Sequence, residues 1–158
     1  SRGPQMFGEY YKLPEKTEHA FKGEFFSAGD MGKKDEDGFY YLVDRKANMI
    51  ITGGEHVYPS EVEKAIITHP LVVECAVVGL HDYKWGECVT AICVLNKEIK
   101  SSDAFNSEMR QYCEDKLARF KIPKRFLCIN SEEMPRTGSG KLIHRKLRER
   151  FNNQINNK

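Results

Sequence analysis

Leu71-Val72-Val73-Glu74-Cys75-Ala76-Val77-Val78 and Cys88-Val89-Thr90-Ala91-Ile92-Cys93-Val94-Leu95 are joined by the polar run His81-Asp82-Tyr83-Lys84-Trp85-Gly86. Each run is almost continuously apolar and of strand length, the pattern of two strands in a sheet covered on at least one face. Just upstream, Ser60 and Glu63 form a capping-box signature after Pro59. Val62, Ala65 and Ile66 then share one helical face, and His69-Pro70 ends the helix. Downstream, Phe105, Met109, Cys113 and Leu117 recur at helical spacing with Tyr112 beside them, and Pro123 closes this second amphipathic helix. A short strand, Phe126 to Ile129, leads into the polar loop from Ser131 to Gly140. A basic helix follows, with Ile143, Leu147 and Phe151 as its apolar stripe, and then an Asn-rich tail.

The first 46 residues differ in kind, being rich in Gly, aromatics and charge, with turn signals at Lys22-Gly23, Ala28-Gly29 and Asp37-Gly38. Short strands are expected there, among them Phe39 to Val43, and Met49-Ile50-Ile51 forms another before Gly53-Gly54. The polar stretch Asp44 to Asn48 reads as a joint. The fold class is therefore α+β: a β-rich segment over 1–46, a small domain over 47–152, and a disordered tail over 153–158.

With 158 residues, 40% of them hydrophobic, the chain can bury one ordinary core. A net charge of +2 gives no strong bias toward nucleic acid or membrane. The basic run Arg145-Lys146-Arg148-Arg150 lacks interleaved aromatics and reads as a solvated helix face, not as a nucleic-acid surface. Cys75, Cys88, Cys93, Cys113 and Cys128 form no C-x-x-C pair and mostly sit in apolar stretches, as reduced core thiols do. A cytoplasmic location is expected. No run approaches the roughly 18 apolar residues of a spanning helix, and the N-terminus lacks the apolar region of a signal peptide. Asp35, Asp37 and Gly38 fail as a calcium loop, because Lys33 falls at the first ligand position and Asp44 at the last; a strand-connecting turn is expected, and no metal ligands are assigned.

The loop Pro135-Arg136-Thr137-Gly138-Ser139-Gly140-Lys141-Leu142 carries the chemistry. A phosphate-binding G-x-x-x-x-G-K-[ST] loop is excluded at both ends, by Pro135 and by Leu142. What remains is one lysine on a flexible arm at the start of a helix, suited to being swung into a remote site and ordered by an anion. Taken alone, the loop would equally suit a solvated connection.

It does not stand alone. Ser27-Ala28-Gly29-Asp30, Asp35-Glu36-Asp37-Gly38, Asp44-Arg45-Lys46, Gly53-Gly54-Glu55 and the Lys141 loop occur in the order of the motifs of the adenylate-forming superfamily, which the chain resembles over nearly its whole length. That superfamily includes acyl- and aryl-CoA synthetases, beetle luciferases and the adenylation domains of peptide synthetases. Arg2-Gly3-Pro4 and Gly8-Glu9-Tyr10-Tyr11 resemble the motif that shortly precedes them. The loop residues Gly53-Gly54-Glu55 with Tyr58-Pro59 look most like fatty acyl- and aryl-CoA ligases. A peptide synthetase adenylation domain, or a noncatalytic nucleotide- or CoA-binding module, is the alternative.

The resemblance implies a small C-terminal domain with an antiparallel sheet and packed helices, preceded by the end of a larger N-terminal adenylation domain that would be its partner. It implies ATP, a carboxylic acid and CoA as substrates, with the phosphate loop, acyl pocket and Mg2+ site upstream of residue 1. Asp30 matches the family aspartate that accepts hydrogen bonds from the ribose hydroxyls of ATP. Arg45 matches an arginine near ribose and phosphate. Lys141 matches the catalytic lysine that meets the carboxylate and the α-phosphate, where charge accumulates as the acyl-adenylate forms. Gly53, Gly54, Glu55 and His56 match the loop that lines the pantetheine channel after the domain rotates, although a plain tight turn fits the glycines as well. Lys46 and Ala47 fall at the rotation hinge, where the family usually has Asp or Lys at the Ala47 position and often Asp at Asn48. His56 stands where many relatives have Asn, Arg or Gln.

Overall fold

The computed structural model describes residues 3–96 and 102–156, so Arg2 and the last two residues of the tail lie outside the described part. Two compact units divide between Ala47 and Asn48.

In the first unit the Lys22-Gly23 turn joins β1 (Phe21–Lys22) to β2 (Phe25–Phe26), and β3 (Asp30–Lys34) pairs antiparallel with β4 (Tyr40–Arg45). Asp35 closes the second hairpin by accepting the Phe39 N–H at 2.8 Å. Phe7 packs edge-on against Tyr10, Phe21 and Phe26, with ring centroids 4.9, 5.7 and 5.2 Å away. One helix, α1 (Pro14–Ala20), appears where only strands were expected. Pro14 presets the first helical turn, and Thr17 braces it by accepting the Tyr10 N–H and donating to Leu13 O.

The second unit is a three-layer domain. The glycine turn at Gly53-Gly54 joins β5 (Ile50–Thr52) to β6 (Glu55–Val57). Helix α2 (Pro59–Ile66) precedes the long hairpin of β7 (Val72–Asp82) and β8 (Gly86–Leu95). Helix α3 (Asp103–Glu114), capped by Ser102 accepting from Phe105 N–H, leads to β9 (Arg125–Cys128), and α4 (His144–Asn156) finishes the chain. The sheet order is β6-β5-β8-β7, with β9 added parallel to β8. Antiparallel pairing thus dominates, with one parallel strand that the sequence alone did not mark.

The two apolar runs are continuous because both faces of the hairpin are covered. Val77, Val89, Ala91 and Cys93 meet α2 and α3 through Val62, Ile66, Phe105 and Met109. Ala76, Val78, Leu80, Ile92 and Val94 meet α4 through Leu147 and Phe151. Burial of this kind is worth roughly 25 cal/mol per Å2 of apolar surface, and here it acts on both sides of one hairpin. Ile155 extends the stripe of α4 and packs against the same cluster, so the helix runs to Asn156 instead of fraying at 153 as the polar composition suggested.

The start of α2 also differs from its sequence signature. Pro59 occupies the first turn and Tyr58 the cap position, so Ser60 lies inside the helix. The carboxylate of Glu63, free of capping duty, reaches the Val77 N–H of β7 at 2.8 Å.

All five cysteines are free thiols, and Cys128 alone is partly exposed. Burial pushes the Cys113 thiol up to about 11. Cys75 is raised as well, first by its contact with Cys93 Sγ, 3.9 Å away, and then by burial.

Two outcomes follow from this packing. Phe126→Ala, which empties a fully buried site between β8 and α3, should cost about 3–5 kcal/mol in urea unfolding. Iodoacetamide at about pH 8 should label Cys128 first in the native protein, since a thiol with a pKa near 11 is only about one part in a thousand thiolate there. Mass spectrometry should find Cys75, Cys88, Cys93 and Cys113 modified only after denaturation.

Candidate functional site

Lys141 sits at the end of a loop that is closed on itself. Arg136 and Leu142 form an isolated antiparallel bridge, and the loop between them is tied by Thr137. The Thr137 N–H donates to Lys141 O at 2.8 Å, the Gly140 N–H donates to Thr137 O at 2.9 Å, and the Lys141 N–H donates to Thr137 Oγ1 at 3.1 Å. Gly140 takes φ +82°, a left-handed conformation that a side chain would resist. The Ile143 N–H then donates to Pro135 O at 2.9 Å, and α4 starts at His144. The backbone around Lys141 is therefore ordered while its side chain is exposed, with no hydrogen-bond or ion-pair partner among the described residues. A lysine held this way is a cation available for an anion that arrives from elsewhere.

The turn at Gly53-Gly54 is built with similar care. The Gly53 N–H donates to Trp85 O at 2.9 Å, and Glu87 Oε2 accepts the Ile51 N–H at 2.7 Å, fixing β5 beside the end of β8. Gly53 has φ +58°, and a Cβ there would lie 2.8 Å from the Trp85 ring. Glycine is therefore required by both conformation and contact. Glu55 and His56 are exposed on the returning strand β6, opposite Thr52 and Ile51.

Beside this turn lies a groove of about 650 Å3 lined by Gly53, Glu55, Trp85, Arg110, Phe120 and Lys124, with Arg119 and Glu114 also on its wall. Lys124 Nζ stands 4.0 Å from the Trp85 ring centroid, and Arg110 Nη2 donates to Lys124 O at 2.6 Å. Aromatic faces and guanidinium or ammonium groups together suit a planar, phosphorylated ligand. Of these, Gly53 and Glu55 were expected from the sequence, whereas Trp85, Arg110, Glu114, Arg119, Phe120 and Lys124 were not. The signal available was the chain's single tryptophan, standing in a polar loop where no core would claim it.

In the first unit the structure brings Asp30 and Arg45 together. They are cross-strand partners of β3 and β4, with Arg45 Nε 3.6 Å from Asp30 Oδ1. Both are exposed enough that the pair contributes little to stability, which leaves the carboxylate open to another donor. Lys46 and Ala47 begin a short 3-10 turn, Lys46–Asn48, and the Lys46 N–H donates to Gly29 O at 2.8 Å. Among the described residues no group of three or more His, Cys, Asp or Glu could hold a metal ion, and no helix is long and apolar enough to cross a membrane.

Known proteins place this architecture. A 2-succinylbenzoate–CoA ligase of Bacillus mycoides (strain KBAB4) is 40% identical over 148 residues, covering 94% of this chain and 29% of that protein. The ATP-bound RpMatB-BxBclM chimera B1 superposes with a TM-score of 0.84 at 39% identity, over 96% of this chain and 30% of the chimera. The o-succinylbenzoate CoA synthetase of Bacillus subtilis, in complex with its acyl-adenylate intermediate, gives a TM-score of 0.79 at 36% identity, over 92% of this chain and 29% of the enzyme. The chain thus spans under a third of the length of the relatives it matches. The family model described as the AMP-binding enzyme C-terminal domain matches residues 61–141, just over half of the sequence, and the chain belongs to that family.

Proposed function

We propose that this chain is the C-terminal part of an AMP-forming carboxylic acid:CoA ligase, working through an acyl-adenylate, and that alone it catalyses nothing. The observation that carries the proposal is the ordered loop that presents Lys141 with an ammonium group lacking a partner among the described residues. In the first half-reaction a carboxylate oxygen attacks the α-phosphorus of ATP and pyrophosphate leaves. Negative charge gathers on the oxygens around phosphorus, and Lys141 Nζ neutralises it from outside the N-terminal domain. Asp30 accepts from the ribose hydroxyls, and the neighbouring Arg45 faces the phosphate side. Mg2+ would be held in the N-terminal adenylation domain, as the resemblance to the family implies.

In the second half-reaction CoA thiolate attacks the acyl carbonyl and AMP leaves. Rotation about Lys46 and Ala47 exchanges the Lys141 loop for the Gly53 to His56 turn, a gating motion that assembles alternative sites. The groove beside that turn supports the assignment: Trp85 and Phe120 provide flat apolar surface, and Arg110, Arg119 and Lys124 provide positive charge for a nucleotide-bearing thiol. The bare glycines let the pantetheine pass close to the backbone.

Two outcomes test this division of labour in the full-length protein. Lys141→Ala should lower carboxylate-dependent pyrophosphate release by on the order of 10²–10³, while preformed acyl-adenylate is still converted to thioester. Equal release from both proteins would remove Lys141 from the first step. Trp85→Ala should raise KM for CoA about tenfold with pyrophosphate release unchanged, whereas an unchanged KM would take the groove out of CoA binding.

A further inference from the structure

The Lys141 loop is tied at both ends to β7, the last strand on its side of the sheet. At the entry, Arg136 donates Nη2 to the Glu74 carboxylate of β7 and Nη1 to Gly140 O at 3.1 Å, the carbonyl of the peptide that leads into Lys141. At the exit, His144 Nε2 lies 2.7 Å from Glu63 Oε1, and that same oxygen accepts the Val77 N–H of β7 at 2.8 Å. A carboxylate only accepts, so His144 is the donor. The Glu63 and His144 side chains are 22% and 15% exposed, so that tie is shielded more than an ordinary surface pair; in the other, Glu74 is 18% exposed and Arg136 40%.

This arrangement has a directional consequence. One guanidinium spans a rigid strand and the peptide bond before Lys141, and one carboxylate oxygen joins that strand to the first residue of α4. The position of the lysine is therefore set by β7, a largely buried strand, as well as by the loop's own turns. We infer that Glu74 and Glu63 are positioning residues for the adenylation step, holding the Lys141 arm in register with β7 through Arg136 and His144. The inference rests on the role proposed for Lys141.

The test uses the full-length protein and three readouts: pyrophosphate release, thioester formation from preformed acyl-adenylate, and amide hydrogen exchange across residues 137–142. Glu74→Ala should speed exchange in that segment and slow pyrophosphate release by about ten- to a hundred-fold, the scale of an ångström-level misplacement, with thioester formation within about twofold of wild type. Glu74→Gln, which keeps an acceptor oxygen, should recover most of the loss. Unchanged exchange in Glu74→Ala, or equal losses in both half-reactions with a lowered unfolding midpoint, would overturn the inference. Normal release from Glu74→Ala where Lys141→Ala releases none would overturn the positioning inference alone. Normal release from Lys141→Ala would show that the role of Lys141 has failed, and the positioning inference would fall with it.

Discussion

The rest of the second unit depends on the β7–β8 hairpin being buried on both faces. Its ladder runs from Val72↔Leu95 to Asp82↔Gly86, and α2 and α3 cover one side while α4 covers the other. A strand covered in this way cannot slip by one residue without exchanging the partners of both faces, so its register is fixed. The two loops to which function is proposed hang from this rigid element. The glycine turn is pinned where β8 begins, through Trp85 and Glu87, and the Lys141 loop is pinned along the outer edge of β7.

That outer edge is itself a structural problem, because its N–H groups have no strand to receive them. A buried donor left unsatisfied costs on the order of 1–3 kcal/mol. Side chains answer it: Glu63 takes the Val77 N–H and Asn152 of α4 takes the His81 N–H at 2.8 Å. The same contacts attach α2 and α4 to the strand, so protecting the edge and placing the start of α4 are one arrangement.

Much of this was legible in the sequence, for reasons that can be named. The hairpin was readable because double burial writes itself as unbroken apolar runs, and α3 because Phe105, Met109 and Cys113 keep helical spacing. The Asp30 and Arg45 pair was anticipated as two separate motif positions, and the pairing of β3 with β4 makes them neighbours. What stayed hidden involves long-range partners. Glu63 looks like a capping residue because its local context is complete, and only the fold brings Val77 and His144 to it. The groove at Trp85 combines residues from four separate stretches, none with a motif of its own. The helix α1 was masked by surrounding turn residues, and the expected strand at β9 was too short to declare its parallel direction.

The chain belongs to the AMP-binding enzyme C-terminal domain family, and in the proposed function Lys141 meets a phosphate bound elsewhere. The most direct measurement of that account is exchange of labelled pyrophosphate into ATP by the full-length protein across a panel of carboxylic acids. Exchange that requires one class of acid and does not require CoA is the predicted result, since it reports reversible acyl-adenylate formation. Absence of exchange with every acid, in a folded protein that still binds ATP, would contradict it.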